Sequence, residues 1–335
     1  MVYSNYVGAR VRRKEDPRLI TGSSTYVGDV QLPGMLHCAI LRSPYAHARI
    51  NGIDASAALA HPGVVAVFTG EQMKKMAGPM AGGGGEGGSV EEESAEEQSG
   101  KSDMEVQYPL AVGKVRHVGE QVAAVIATDM YTARDAVDMI EVDWEPLPVA
   151  ATIAAAMAPD APQLFGDKPG NIGLHWQKTS GDVDAAFAEA EKDGVVLDLH
   201  IVSQRLAAVP MEGRAVCAAW DAWQGALTVW SSNQNPHSVR STIAKVLGMS
   251  ESDVRVIAPE VGGGFGVKIG AYPEDVIISA IARELKRPVK WIESRSENML
   301  ATNHGRDQEI KVQVAARKDG RVIGLKEEID RKSVV

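Results

Sequence analysis

The sequence predicts an α+β protein of two domains joined by a short linker, and three observations carry that prediction. The chain has 335 residues, more than twice the length of a usual single domain. Its composition, 44% apolar and 24% charged, suits a chain with a substantial core. On both sides of an Ala/Pro-rich segment, short apolar runs bounded by Pro, Gly or Ser alternate with stretches of helical spacing. The boundaries read as 1–150 for the first domain, 151–170 for the linker and 171–335 for the second.

In the first domain, Leu36–Leu41 is an apolar strand closed by Ser43-Pro44, and Ala48–Ile53 resumes as a second. Ser56–Ala60 after Asp54 has the look of a capped helix stopped by His61-Pro62-Gly63. Val64–Phe68 is β-branched and ends at Thr69-Gly70. Residues 81–107 are dominated by Gly and Glu and cannot bury enough surface to offset their ordering entropy, which predicts a flexible acidic surface insertion. Gln121–Ala127 reads as a buried strand, Asp129–Met139 as a helix and Ile140–Trp144 as a strand. In the second domain, Val183–Ala190 is helical, followed by strands at Val195–Ser203, Arg214–Trp220 and Ala226–Ser231. Pro236–Leu247 is a helix capped by Asn235 and stopped by Gly248. A strand at Asp253–Ala258 leads into glycine-rich Val261–Lys268, then a helix at Pro273–Leu285 and a strand at Val289–Glu293.

Charge and cysteine content exclude several classes. Eight acids and one lysine between Glu86 and Glu105 carry −7 of the formal −9, so the remainder is near neutral. No basic stripe with interleaved aromatics is present, which argues against a nucleic-acid partner. No run of about 18 apolar residues predicts a transmembrane segment, and residues 1–18 lack a signal-peptide core. Cys38 and Cys217 form no disulfide framework or zinc motif and fit a cytoplasmic chain. The eight histidines have no pair spaced to share a helix face, and a GxSxG elbow is absent.

Two clusters remain as candidate chemistry. Gly262-Gly263-Gly264-Phe265-Gly266 lies between a strand and a helix, where main-chain N–H groups approach an anion without a Cβ in the way. It fails the dinucleotide fingerprint at Val267 and the Walker pattern at Val267-Lys268-Ile269, leaving a structural turn or an anion or cofactor loop. Ser232-Asn233-Gln234-Asn235-Pro236 places three amides at a strand's end, as a wet N-cap turn or a polar ligand site. Met211-Glu212-Gly213-Arg214 reads as an exposed salt bridge.

Taken together, these residues resemble the N-terminal part of the large, molybdopterin-binding subunit of the molybdenum hydroxylases, which include xanthine dehydrogenase, aldehyde oxidase and aerobic carbon monoxide dehydrogenase. Leu41-Arg42-Ser43-Pro44-Tyr45-Ala46-His47-Ala48 and Val118-Gly119-Glu120-Gln121-Val122-Ala123 are similar to the family's N-terminal α/β-hammerhead domain. Residues 232–236 and 262–266 are similar to the first part of its molybdopterin-binding domain. The resemblance implies that Gln234 is catalytic and cofactor-binding, hydrogen-bonding the apical oxo ligand of molybdenum. It implies that Gly263, Gly264, Phe265 and Gly266 form the loop beside the metal and pterin. It implies molybdopterin cytosine dinucleotide as cofactor, holding the metal through its dithiolene so that the protein supplies no metal ligand. The family reaction is oxidative hydroxylation of a small substrate (CO, an aldehyde or an N-heterocycle) with water as oxygen source. Electrons pass to iron–sulfur and FAD partner subunits, and a homodimer of the whole complex is expected. Ile269 stands where purine-oxidising members carry a glutamate, which argues against purines. The family's glutamate base and the copper-binding cysteine of the carbon monoxide enzymes lie beyond residue 335. Residues 327–335 are not expected to continue like the family. The resemblance therefore implies a truncated or split subunit, with a separate chain carrying the C-terminal half. The competing expectation is a non-catalytic remnant or assembly subunit.

Overall fold

Most apolar runs become strands close to where their residues place them. In the computed structural model, which describes residues 8, 10–80, 107–166, 169–173 and 175–331, the first half contains six strands. They are β1 (Leu36–Arg42), β2 (Ala48–Asp54), β3 (Val64–Thr69), β4 (Lys114–Val115), β5 (Gln121–Ala127) and β6 (Glu141–Pro146). Four helices accompany them: α1 (Asp16–Ile20), α2 (Ser56–Ala60), α3 (Gly70–Met76) and α4 (Met130–Val137). Asp129 caps α4, its carboxylate accepting the Thr132 N–H at 2.9 Å. The Gly/Glu-rich insertion lies outside the described residues apart from Gln107, whose carbonyl accepts the Met80 N–H across the insertion's two ends at 2.8 Å.

The segment 151–170 contains α5 (Ile153–Met157), and its Leu164 carbonyl accepts from Lys114 Nζ and Arg116 Nε, both at 3.1 Å. Beyond it come α6 (Val183–Asp193), β7 (Gly194–Ser203), β8 (Ala215–Asp221), β9 (Ala226–Ser231), α7 (Pro236–Leu247) and β10 (Val254–Ile257). Next are α8 (Pro273–Leu285), β11 (Val289–Ile292), α9 (Arg295–Ala301), β12 (Gln308–Arg317) and β13 (Val322–Arg331). The Asn235 side chain caps α7 as expected, and Gly248 takes the left-handed conformation at its end (φ 63°).

Seven strands from both halves share one mixed sheet, in the order β10-β9-β8-β11-β1-β5-β3. Parallel pairing of β1 with β11 joins the halves through Leu36–Val289 and Cys38–Trp291. Helices lie on both faces: α4 packs on Ala39 and Ala127, while α3, α7 and α8 cover the side that carries Cys38, Ile40 and Ile126. All seven residues of β5 are therefore buried, which is why that strand reads as an unbroken apolar run rather than an alternating one. Two three-stranded antiparallel sheets flank it, β4-β2-β6 and β13-β12-β7. The candidate site sits where β9 and β10, neighbours at one end of the large sheet, release the chain.

Candidate functional site

Four polar residues leave β9 and only one of them is uncommitted. Asn233 is buried and its amide N–H donates to the Ser231 carbonyl at 3.1 Å. Asn235 accepts the Ser238 N–H at 3.3 Å and so caps α7. Ser232 is buried and donates to Glu212 Oε2 at 2.7 Å. Gln234 is exposed, with its main-chain N–H on the Lys268 carbonyl at 2.7 Å. Its Oε1 accepts from two main-chain N–H groups, Gly266 at 3.1 Å and Lys268 at 3.3 Å. A carboxamide has one acceptor end and one donor end, and here the acceptor is doubly used. Nε2 is thereby the outward end, with two N–H donors that find no partner among the described residues.

Glycine is required where the loop meets this amide. A Cβ on Gly264 would lie 2.4 Å from both Cδ and Oε1 of Gln234, inside any real contact distance. Gly263 and Gly266 hold φ of +100° and +90°, and Phe265 between them is itself left-handed at φ 52°. That backbone leaves the Phe265 ring 74% exposed, folded back over Gly263. The N–H groups of Gly263, Gly264 and Phe265 are engaged by nothing among the described residues. All five residues singled out from the sequence are thus brought together: Gln234 touches Gly264 and Gly266, and Phe265 touches Gly263.

A partly buried ion pair that sequence reasoning missed, with Lys268 fully buried, supports this arrangement from beneath. Lys268 Nζ donates to the Glu212 carbonyl at 2.9 Å, to Glu212 Oε2 at 3.1 Å and to Ser232 Oγ at 2.8 Å. Glu212 Oε2 also accepts the Gly262 N–H at 2.7 Å, so one carboxylate ties the loop's start to the turn after β9. Burial pushes the Lys268 ammonium below its ordinary pKa, while Glu212 pulls it back up. Glu212 Oε1 is buried without a partner among the described residues. The expected Glu212–Arg214 salt bridge does not form. Arg214 is 4% exposed and instead bonds Glu293 Oε1 at 2.5 Å and Glu274 Oε2 at 2.9 Å, with its guanidinium 3.9 Å from the Tyr272 ring centroid. The reason is topological: Glu274 on α8 and Glu293 after β11 close around the start of β8, whereas Glu212 lies beside the loop. Nothing local in Met211–Arg214 signals partners 60 and 79 residues away.

Unengaged main-chain N–H groups beside a pre-oriented carboxamide are donors of the kind that can hydrogen-bond an anionic organic cofactor. Residues 164–331 match the family described as the molybdopterin cofactor-binding domain, and residues 21–148 match the a/b hammerhead domain of aldehyde oxidase and xanthine dehydrogenase. The chain belongs to this molybdopterin-binding family. Because the match runs to 331, residues 327–331 do continue like the family, contrary to expectation; they form the last turns of β13's pairing with β12. Lys326 to Ile329 are all exposed on that hairpin, so their charge reflects an exposed strand.

The chain is 40% identical over 97% of its length to the 6-hydroxypseudooxynicotine dehydrogenase complex subunit gamma of Paenarthrobacter nicotinovorans. It is 37% identical over 96% to the nicotine 6-hydroxylase large subunit of the same organism. Among solved structures it is similar to reconstituted CO dehydrogenase from Oligotropha carboxidovorans, with a TM-score of 0.82 and 36% identity over 96% of this chain. It spans 39%, 37% and 39% of these three proteins, matching their N-terminal part. Among the described residues, no helix is long and apolar enough to cross a membrane.

Proposed function

We propose that this chain forms one wall of the cofactor pocket in a molybdenum hydroxylase, with Gln234 and the 263–266 loop as its contact residues. The single observation that carries the proposal is the captured orientation of the Gln234 amide, Oε1 held by the loop and Nε2 free. Its donor end suits an oxo group on the metal, and the unengaged N–H groups of Gly263, Gly264 and Phe265 suit the cofactor's anionic portions. Bound there, the cofactor supplies oxidative hydroxylation of a small substrate with water as oxygen source. The chain's residues orient: the amide would fix one side of the cofactor, the missing Cβ of Gly264 leaves room for that amide, and the exposed Phe265 ring would exclude water beside it. These groups are preset by the protein's own hydrogen bonds, so little reorganisation opposes binding.

The dinucleotide form of the cofactor, with a cytosine nucleotide, belongs to this proposal, as do iron–sulfur and FAD partner subunits in a cytoplasmic complex that pairs as a homodimer. The substrate class follows the relatives: a small N-heterocycle such as the nicotine derivatives named for two of them, CO, or an aldehyde. Purification of the complex with its natural partners is expected to yield stoichiometric molybdenum and, on acid hydrolysis, cytidine monophosphate. A well-folded complex devoid of molybdenum and pterin refutes the proposal and returns the non-catalytic assembly subunit.

A further inference from the structure

The β13-β12-β7 sheet has its amphipathicity turned outward. Its register sorts the residues into rows that cross all three strands. On one face the rows are Val196–Ala315–Gly324, Asp198–Gln313–Lys326, His200–Lys311–Glu328 and Val202–Glu309–Asp330. Helix α6 covers the first of these, with Phe187 against Gly324, and the charged rows beyond it face outward. The opposite face is apolar in every row but one position: Leu197–Val314–Leu325, Leu199–Val312–Glu327 and Ile201–Ile310–Ile329. On the outer strands Leu197, Leu199, Ile201, Leu325 and Ile329 are 47–53% exposed, the value of a side chain standing on an uncovered sheet. A contiguous apolar patch of this kind marks an interface.

We infer that this face is the docking surface for the polypeptide that carries the remainder of the molybdopterin-binding subunit. The inference rests on the cofactor reading above and adds where the pocket's other wall attaches. Two observations select that occupant. The relatives continue for about three-fifths of their length beyond the part this chain matches. The stretch matched to the domain reaches residue 331, on β13, the outer strand of this sheet, so in relatives that continue past this stretch the additional chain departs from the edge of the apolar face. A polypeptide that begins there reaches the face without crossing the charged side, and its own apolar surface replaces water over eight aliphatic side chains.

The test co-expresses this full chain with the segment of the 6-hydroxypseudooxynicotine dehydrogenase gamma subunit that follows its matched stretch. Hydroxyl-radical footprinting of the co-purified complex is expected to show several-fold protection of Leu197, Leu199, Ile201, Leu325 and Ile329, with Trp223 (96% exposed, between β8 and β9 of the large sheet) labelled as before. Leu199→Lys and Ile201→Lys are expected to abolish co-purification while moving the isolated chain's Tm by less than about 2 °C, because half-exposed positions tolerate a charge. Unchanged labelling in a complex that does form overturns the inference, as does failure of the soluble segment to co-purify. So does unfolding of the isolated chain by either lysine, which would place the face inside this chain's own core. Sedimentation as a dimer that Leu199→Lys dissociates assigns the face to a second copy and likewise overturns it. Molybdenum content, measured on the same complex, is a separate readout: protection without molybdenum sinks the cofactor reading alone, and molybdenum without protection sinks the docking surface alone.

Discussion

Gln234 owes its direction to the two N–H groups of Gly266 and Lys268, and those groups are where they are because Gly264 has no side chain. Gly264→Ala isolates this point. The new methyl meets the far end of a flexible side chain, so the amide swings away while the backbone stays. A charge-assisted hydrogen bond contributes about 1.5–3 kcal/mol, so retained molybdopterin is expected to fall roughly tenfold or more. Tm is expected to drop by only a few degrees; a variant that keeps its full cofactor content removes Gln234 from the contact. Lys268→Met asks a different question of the same neighbourhood. It leaves the Glu212 carboxylate without its cation while Ser232 and Gly262 still lean on it. Breaking a buried pair from one side costs about 3–5 kcal/mol, so the urea midpoint is expected to fall sharply, and Lys268→Arg to recover part of it. Equal stability of wild type and Lys268→Met would show that the pair holds nothing together.

Helix α8 carries two adjacent buried acids with opposite fates. Burial would raise Glu274, but Arg214 and Arg42 overcome it and hold its carboxyl at about 2. Asp275, given hydrogen bonds from Ser231 Oγ and the Tyr272 N–H but no ion pair among the described residues, is pushed by burial up to about 6. For Asp275 the native state keeps a proton that the unfolded chain has already released at its ordinary value, so its contribution to stability declines as pH rises from about 4 to 6, by on the order of 3 kcal/mol. Glu274 acts in the other direction: its contribution is complete above the ordinary glutamate value and is lost only as pH falls towards 2. Urea unfolding across that range is expected to show a flatter profile for Asp275→Asn than for wild type between about pH 4 and 6. Superimposable profiles would mean another group titrates there. Elements of this kind were largely legible, since α7 and α8 have the ends that Asn235, Gly248 and Pro273 announce. The elements not read had local signals too: Thr69 with Gln72 and Ser294 with Glu297 box the starts of α3 and α9, and Ile310, Val312 and Val314 alternate along β12. Gln234 and the 262–266 loop were legible because their residue types are unusual in place. Lys268 with Glu212 was not, since each is an ordinary charge until the fold buries them together.

At the scale of the whole molecule, the seven-stranded sheet makes the two halves of the chain one folding unit. The outer partner of β1 is β11, from residues 289–292, and the apolar side of β1 and β5 is covered by α8. At one end of the sheet Arg42 and Gln121 from the first half both bond Glu274, at 2.8 and 2.9 Å, and Arg42 also reaches Glu297 at 2.9 Å. At the other, Arg283 donates to the Met76 carbonyl at 2.9 Å. A fragment ending at residue 166 keeps the hammerhead sequence yet loses all of these. Leu36, Cys38, Ile40, Phe68 and Ile126 would stand partly in water, and re-exposing five such side chains costs on the order of 10 kcal/mol, comparable to the entire stability of a typical domain. β1 would also present a bare hydrogen-bonding edge, a template for aggregation. Calorimetry of the full chain is therefore expected to give one cooperative transition, and the 1–166 fragment none, with the fragment accumulating as insoluble or dye-binding material. A fragment that melts sharply, as a soluble monomer, would show that the first half carries a sufficient core of its own and that the shared sheet is a docking of two finished domains.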